Sequence, residues 1–234
     1  MGIVVGIVPA RGGSKRIPNK NMAPCGGLPL LGHTFAAARS ARSLDRVILS
    51  TDDARIADYG REQGIEVPFL RPAALALDSA PMLDVLQHIL HWLERETTAG
   101  IDALVLLQAT SPLRTSEDID NAVATFKEHP EADSVVSVTP IAHIFHPWKA
   151  LTLAEGRLVP FMGDTGVAGT RDLPPAFGRN GPAVLVMRPA TVRAGKIYGA
   201  VSLPYMMAPG SSIDIDEPFD LEVADLLLRK RQAQ

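Results

Sequence analysis

Hydrophobic positions along the chain follow two rhythms. Short apolar runs rich in β-branched residues occupy Ile3 to Val8, Arg46 to Ser50, Val67 to Leu70, Ala103 to Leu107, Ser134 to Val138 and Ala183 to Met187, a pattern that predicts strands. Between them the period lengthens. From Ser79 to Glu96, the residues Met82, Val85, Leu86, Ile89, Leu90 and Leu93 recur at steps of three and four, which predicts a helix capped by Ser79. A second helix is expected to begin near Ser116, with Glu117 and Asp118 in a first turn that favours negative charge. A third follows Pro218 and runs from Phe219 to Arg231, with Lys230 and Arg231 at its end. Strands buried on both faces and separated by helices need crossover connections. The expectation is therefore an α/β fold built on a doubly wound, mostly parallel sheet, with its ligand beyond the C-terminal ends of the strands. The rhythm breaks between about Ala142 and Gly181, where Gly, Pro and isolated aromatics replace a clean period. That stretch, 142–181, reads as an insertion serving as a lid or dimer contact within a single domain spanning 1–234.

Composition narrows the function classes. Hydrophobic residues make up 46% of the 234 and charged residues 21%, enough apolar material for a sizeable core. With 23 Lys and Arg against 26 Asp and Glu, the net charge of -3 offers no overall attraction to nucleic acid or to an anionic membrane. No run approaches the roughly 18 apolar residues of a membrane span, and the start lacks the features of a signal peptide. A cytoplasmic location is expected. Cys25 is the sole cysteine, so an intrachain disulfide is excluded.

Directly after the first predicted strand comes Pro9-Ala10-Arg11-Gly12-Gly13-Ser14-Lys15-Arg16-Ile17-Pro18-Asn19-Lys20-Asn21. Paired glycines let backbone N–H groups approach an anion, and Arg11, Lys15, Arg16 and Lys20 supply the charge that a polyphosphate matches. The stretch fits neither the Walker pattern nor the dinucleotide G-x-G-x-x-G. A solvated basic turn would have the same composition, but the position beyond the first strand is where this architecture binds ligands. Three further clusters stand out: Arg71-Pro72 with Leu77-Asp78-Ser79, then Leu107-Gln108-Ala109-Thr110-Ser111-Pro112-Leu113-Arg114, then Ser212-Ile213-Asp214-Ile215-Asp216-Glu217-Pro218. Asp214 and Asp216, two residues apart on an extended segment, point to one side and offer hard oxygens suited to Mg2+. The alternative is an acidic turn that caps the last helix, a role assigned here to Glu217.

The run Ile7 to Pro18, together with Q-A-T-S-P-L-R, S-I-D-I-D and Asn180-Gly181, resembles the acylneuraminate cytidylyltransferases, also called CMP-nonulosonic acid synthetases, and the related keto-deoxyoctulosonate cytidylyltransferases. The resemblance covers nearly the whole chain. It implies a nucleotide-diphospho-sugar transferase-like, Rossmann-like fold and transfer of CMP from CTP to the anomeric hydroxyl of an acidic nine-carbon sugar. Arg11, Lys15, Lys20, Asp214 and Asp216 are then the expected catalytic set, the two aspartates through Mg2+. Ala10, Arg11, Gly12, Gly13, Ser14, Lys20, Asn21, Arg71 and Ser79 would bind the nucleotide, with Asn21 at the ribose and Arg71 and Ser79 at the base. Gln108, Lys149, Arg171, Phe177 and Tyr198 would face the sugar, Arg114 would support its loop, and a homodimer is expected. The chain departs from the family around Thr170-Arg171, Phe177 and Ile197-Tyr198, which opens the pocket to a legionaminic or pseudaminic type of acid. Two other readings remain: an acceptor that is keto-deoxyoctulosonate, a sugar 1-phosphate or a phosphonate with CTP or GTP as donor, and a nucleotide-binding protein without turnover. The histidines show no metal-type spacing, and Met82 and Trp92 are expected in the core.

Overall fold

Residues 2–163 and 173–233 are described by the computed structural model. Among them, seven strands form one sheet. β1 (Ile3–Pro9) is followed by a short antiparallel pair, β2 (Pro24–Cys25) and β3 (Leu28–Pro29), and then by α1 (Leu30–Ser40). β4 (Arg46–Ser50), α2 (Ala54–Glu62), α3 (Met82–Glu96), β5 (Ile101–Leu106), α4 (Ser116–Glu128) and β6 (Ser134–Pro140) continue the alternation. A hairpin of β7 (Leu151–Ala154) and β8 (Arg157–Pro160) comes next. β9 (Phe177–Arg179), β10 (Leu185–Met187), α5 (Pro189–Arg193), β11 (Ser202–Met206) and α6 (Pro218–Gln232) complete the chain. The sheet order is β11-β6-β10-β5-β1-β4, with β9 paired to the end of β6. β1 runs parallel to β4 and β5, and β11 runs parallel to β6, whereas β10 is antiparallel to both its neighbours.

The two-residue alternation of the strands distributes side chains to two cores. Val4 and Val8 of β1, with Ala103 and Val105 of β5, pack under α1, α2 and α4 through Phe35, Ile56, Ile119 and Val123. Val5, Ile7, Leu104 and Leu106 face the opposite layer, where Val85, Leu86, Ile89, Leu90 and Leu93 of α3 are buried. Each such aliphatic side chain contributes about 1.5–3 kcal/mol on burial, so the apolar stripe of α3 fixes that helix on the sheet. A third cluster seats α6 by Ala224 and Leu228 against Leu30, Leu113 and Ile215. It ties the chain's last helix to the loops at the strands' C-terminal edge.

Two expected elements differ. Val67 to Leu70 is not a strand: the segment touches β4 and the turn after it only through isolated bridges, Ile48 with Glu66 and Thr51 with Leu70. Pro68 sits between them without an N–H to donate, which interrupts the ladder. Helix α3 begins at Met82, with Pro81 in the cap position and no side-chain cap bond, so Ser79 does not cap it. Proline disfavours helical backbone in the residue before it, which stops the helix from extending back through Ala80 to Ser79. Elsewhere the caps follow their chemistry: Thr115 and Asp118 form a reciprocal capping box on α4, and Glu217 does so with Asp220 on α6.

Between β6 and β9 the described residues include one-turn helices at His143–Phe145 and Pro147–Lys149 and the β7–β8 hairpin, whose residues are mostly exposed. His146 is buried there, with Nε2 donating to the Pro174 carbonyl at 2.9 Å and Nδ1 accepting from the Trp148 N–H at 3.2 Å.

Candidate functional site

The loops leaving β1, β4, β5 and β11 converge at one edge of the sheet on a cleft of about 590 Å3, within the usual range for a small-ligand site. Its wall is formed by Pro9, Arg11, Ser14, Lys15, Arg16, Lys20 and Asn21 on one side and Asp214 and Asp216 on another. Between them lie Arg71, Asp78, Met82, Gln108, Ala109, Thr110 and Gly181.

The loop after β1 owes its shape to close approaches. A Cβ on Gly12 would lie 2.7 Å from Asp53 Oδ2, so only glycine fits beside the turn that follows β4. The Gly12 N–H donates to Asp52 Oδ1 at 3.0 Å, and Asn21 Nδ2 donates to the Arg11 carbonyl at 2.8 Å. Nothing lies within 4 Å of a Cβ placed on Gly13. Asn19 takes a left-handed turn at φ 52° and starts the single helical turn that carries Lys20 inward. Lys20 Nζ donates to the Ile215 carbonyl at 2.6 Å and lies 3.8 Å from Asp216 Oδ1, and Arg16 reaches the same oxygen at 3.3 Å. The N-terminal cations and the late aspartates therefore meet in one chain, 195 residues apart in sequence.

Electrostatics mark this junction. Burial lowers the Lys20 pKa from its ordinary value against the attraction of Asp216 and Asp214. Burial raises the Asp214 pKa, opposed by a hydrogen bond from Thr110 and reinforced by Asp216. Asp214 Oδ1 is buried with no hydrogen-bond partner, a costly state for a carboxylate that an added cation relieves. The Ile215 N–H donates to the Thr110 carbonyl at 2.8 Å, which holds the aspartate segment extended. The donor set of two carboxylates and no nitrogen or sulfur suits a hard divalent cation that completes its shell with water and phosphate. Among the described residues, no third carboxylate, histidine or cysteine joins them in a group that would hold a metal.

Arg71 is buried. Its Nε donates to Ser50 Oγ at 2.9 Å and Nη2 to the Ser50 carbonyl, and desolvation brings its pKa down to about 10. Ser79 is exposed on the neighbouring turn and does not line the cleft. Gln108 Nε2 donates to the Gly181 carbonyl at 2.7 Å. Arg114 is buried beneath this loop, donating to the carbonyls of Gln108 (3.0 Å) and Ala183 (2.8 Å) and to Thr34 Oγ1 (2.7 Å). Asn180 ties the loop to the aspartate segment: its Oδ1 accepts from Ser137 Oγ at 2.6 Å and its Nδ2 donates to Ser212 Oγ at 3.0 Å.

The residues expected at the sugar divide. Gln108 lines the cleft, whereas Lys149, Phe177 and Tyr198 do not. Lys149 lies on the segment between β6 and β9, and Phe177 lines a smaller hollow with His143, His146 and Pro174. Tyr198 lies under the Arg179 guanidinium, 4.9 Å from ring centre to Cζ. Arg171 falls outside the described residues. Asp78, Thr110 and Gly181, which the sequence placed in motifs without individual roles, line the cleft too. Met82, expected in the core, also lines the cleft. The signal for Asp78 was available, a lone carboxylate in the turn before a helix facing a basic loop. That for Met82 was not, because its place in the apolar repeat of α3 marks it for the core, against which it also packs.

Comparison with known proteins accords with this geometry. The family model described as Cytidylyltransferase matches residues 5–153. The chain is 31% identical to the CMP-N,N'-diacetyllegionaminic acid synthase of Legionella pneumophila over 232 residues, which is 98% of this chain and 97% of that one. It is 32% identical over 213 residues to an N-acylneuraminate cytidylyltransferase of Streptococcus agalactiae, covering 90% of this chain and 49% of the relative. In fold it matches the structure of CMP:2-keto-3-deoxy-manno-octonic acid synthetase complexed with CTP at a TM-score of 0.72 and 18% identity, across 98% of this chain and 99% of that one. With the polyphosphate-type loop beyond β1 and a family match running through β1, β4, β5 and β6, the chain belongs to the cytidylyltransferase family.

Proposed function

We propose that the protein transfers CMP from CTP to the anomeric hydroxyl of an acidic nonulosonic acid, releasing pyrophosphate. The observation that carries this reading is the meeting of Lys20 with Ile215 and Asp216, which brings the basic loop and the aspartate pair to one cleft. Names borne by relatives, a legionaminic acid synthase and an N-acylneuraminate cytidylyltransferase, support an acceptor of that class.

In this reading the triphosphate lies along Arg11, Ser14, Lys15 and Lys20, with the base toward Arg71 and Met82 and the ribose at Asn21. The anomeric oxygen attacks the α-phosphorus, the bond between that phosphorus and the bridging oxygen breaks, and pyrophosphate departs with the electron pair. The hydroxyl proton passes to water, since an anomeric hydroxyl is more acidic than an ordinary alcohol. Charge on the leaving group is met by positioned cations, the form of stabilisation that dominates phosphoryl-type transfers. Asp214 and Asp216 would hold Mg2+, which when bound neutralises phosphate charge. Gln108, fixed by Gly181, would meet the acceptor from the β5 side.

The β7–β8 hairpin exposes Leu151, Leu153, Leu158 and Phe161, with Leu153 and Leu158 opposite one another and each 70% accessible. Such a face supports a homodimer in which a second copy covers it. A cytoplasmic location is proposed with it; among the described residues no helix is long and apolar enough to cross a membrane. Pyrophosphate release with CTP and Mg2+ is to be measured against N-acetylneuraminate, legionaminate, pseudaminate and keto-deoxyoctulosonate. Turnover with one of the nonulosonic acids is expected, and release with none of them would refute the reading.

A further inference from the structure

The basic loop already carries anions of its own. Asp78 forms ion pairs with both Arg11 and Lys15, the latter at 2.5 Å, and Asp52 Oδ1 accepts the Gly12 N–H. These are the groups a polyphosphate would use. The two carboxylates differ in freedom. Asp52 sits in the turn that Gly12 packs against. Asp78 belongs to a surface turn closed by the Ala80 N–H on the Leu77 carbonyl, and its side chain is 39% accessible. It lines the cleft beside the loop. Lys15, 83% accessible, gains a fixed position from this pair alone among the ion pairs described. Hydrogen bonds from Lys15 and Arg11 hold the Asp78 carboxyl below its ordinary pKa, so it is ionised at neutral pH. A phosphate brought to Arg11 and Lys15 would meet that negative charge at contact distance, and the two cannot share the same donors without repulsion.

We propose that Asp78 is an internal counter-anion of the polyphosphate site, competing with pyrophosphate for Arg11 and Lys15 and thereby setting how readily that product leaves. The inference rests on the nucleotide reading of the cleft and adds to it a residue acting against binding. Asp78 holds both long cationic side chains in position in the free enzyme. When pyrophosphate forms, the returning carboxylate displaces it. A site made only of cations would hold the same product more tightly and turn over more slowly.

The test is calorimetric titration of inorganic pyrophosphate into the full chain as wild type, Asp78→Asn and Asp78→Glu, with competitive inhibition of CTP turnover by pyrophosphate measured alongside. Removing the charge at constant shape should tighten pyrophosphate binding about three- to thirtyfold, the worth of two exposed ion pairs. The inhibition constant should fall by the same factor, and the gain should shrink as salt is raised. Asp78→Glu, which keeps the charge, should return the affinity toward wild type. A role confined to folding would lower the melting temperature without tightening binding. Equal or weaker pyrophosphate binding by Asp78→Asn, in a wild type that binds both CTP and pyrophosphate, overturns the role of Asp78 alone. A wild type that binds neither removes the nucleotide reading too. Should the Asn variant fail to fold, Asp78→Ser takes its place in the same titration and is judged by the same outcomes.

Discussion

Replacing Lys20 with Met separates what the site does from what the fold needs. The side chain is 15% accessible, and its ammonium is committed to the Ile215 carbonyl at 2.6 Å. A hydrogen bond from a charged donor is worth about 1.5–3 kcal/mol net. Against that stands desolvation, which outweighs the attraction of Asp216 and Asp214 and lowers the pKa. A lysine whose folded pKa lies below its unfolded value costs stability wherever both states are charged, and that cost fades only as pH rises from the lowered value to 10.5. At neutral pH the two effects oppose one another, so Lys20→Met, which keeps the stem's volume, should change folding stability by about 1 kcal/mol or less, or roughly 2–4 °C in melting temperature. Turnover should fall about a hundred- to a thousandfold, the usual loss when one preorganised electrostatic donor is removed from the transition state. Denaturant unfolding and pyrophosphate release at saturating CTP and acceptor measure the two quantities independently. Turnover within about threefold of wild type would refute the placement of Lys20 at the transferring phosphates. A loss of activity that only mirrors a loss of fold would refute the reasoning on stability.

Other outcomes follow from the same geometry. Gly181 has φ 120°, and a Cβ there would lie 2.9 Å from Ser111 Oγ, so Gly181→Ala should lose about 1–3 kcal/mol in chemical denaturation. Unchanged stability would show that the loop relaxes freely. Because Asp214 keeps its proton above 3.8, its ionisation costs stability as pH rises through the interval up to its raised value, and a bound cation offsets that cost. The rise in melting temperature produced by Mg2+ with CTP should shrink as pH is lowered toward the raised value and vanish in Asp214→Asn; a rise independent of pH and of the substitution would place the metal elsewhere. Leu153→Asp combined with Leu158→Asp puts like charges opposite one another on the exposed hairpin. Sedimentation velocity should then give a monomer mass from a wild-type dimer, with the sheet's melting little altered; a dimer that survives would locate the contact on another face.

The convergence of the basic loop and the aspartate pair on one cleft was legible because local pattern and position agree there. A glycine-cation loop directly after a buried strand has few places to go in a parallel sheet, and Asp214 and Asp216 reach it through β11 and α6, which close the same edge. Strand β11 itself escaped notice: Ser202, Leu203, Pro204, Tyr205 and Met206 are half exposed at the sheet's margin, so no apolar run announces them. Helix α1 was hidden for a different reason, its buried Gly32, Thr34, Ala37 and Ala38 being too small or polar to mark a stripe. Pro68 and Pro81 were legible in principle, since both restrict backbone in known ways, yet the apolar neighbours of each outweighed them in a reading by hydrophobicity. The residues expected at the sugar were less readable because Lys149, Arg171 and Phe177 belong to an irregular segment whose path no periodicity specifies. Of the expected set only Gln108, just beyond β5, lines the cleft.

The reversed strand near the middle of the sheet has a consequence for how the cleft can vary. Because β10 enters against its neighbours, its leading residues, Asn180 to Ala183, arrive at the edge where all the parallel strands depart. The β7–β8 hairpin is spliced in just upstream of that arrival, between β6 and β9. A change of hairpin length therefore alters the connection that leads to Gly181, whose carbonyl Gln108 bonds, and leaves the chain between β1 and β6 unaltered. On the proposed reading, the rim at Gln108 could be rebuilt for another acceptor apart from the loop that would hold phosphate.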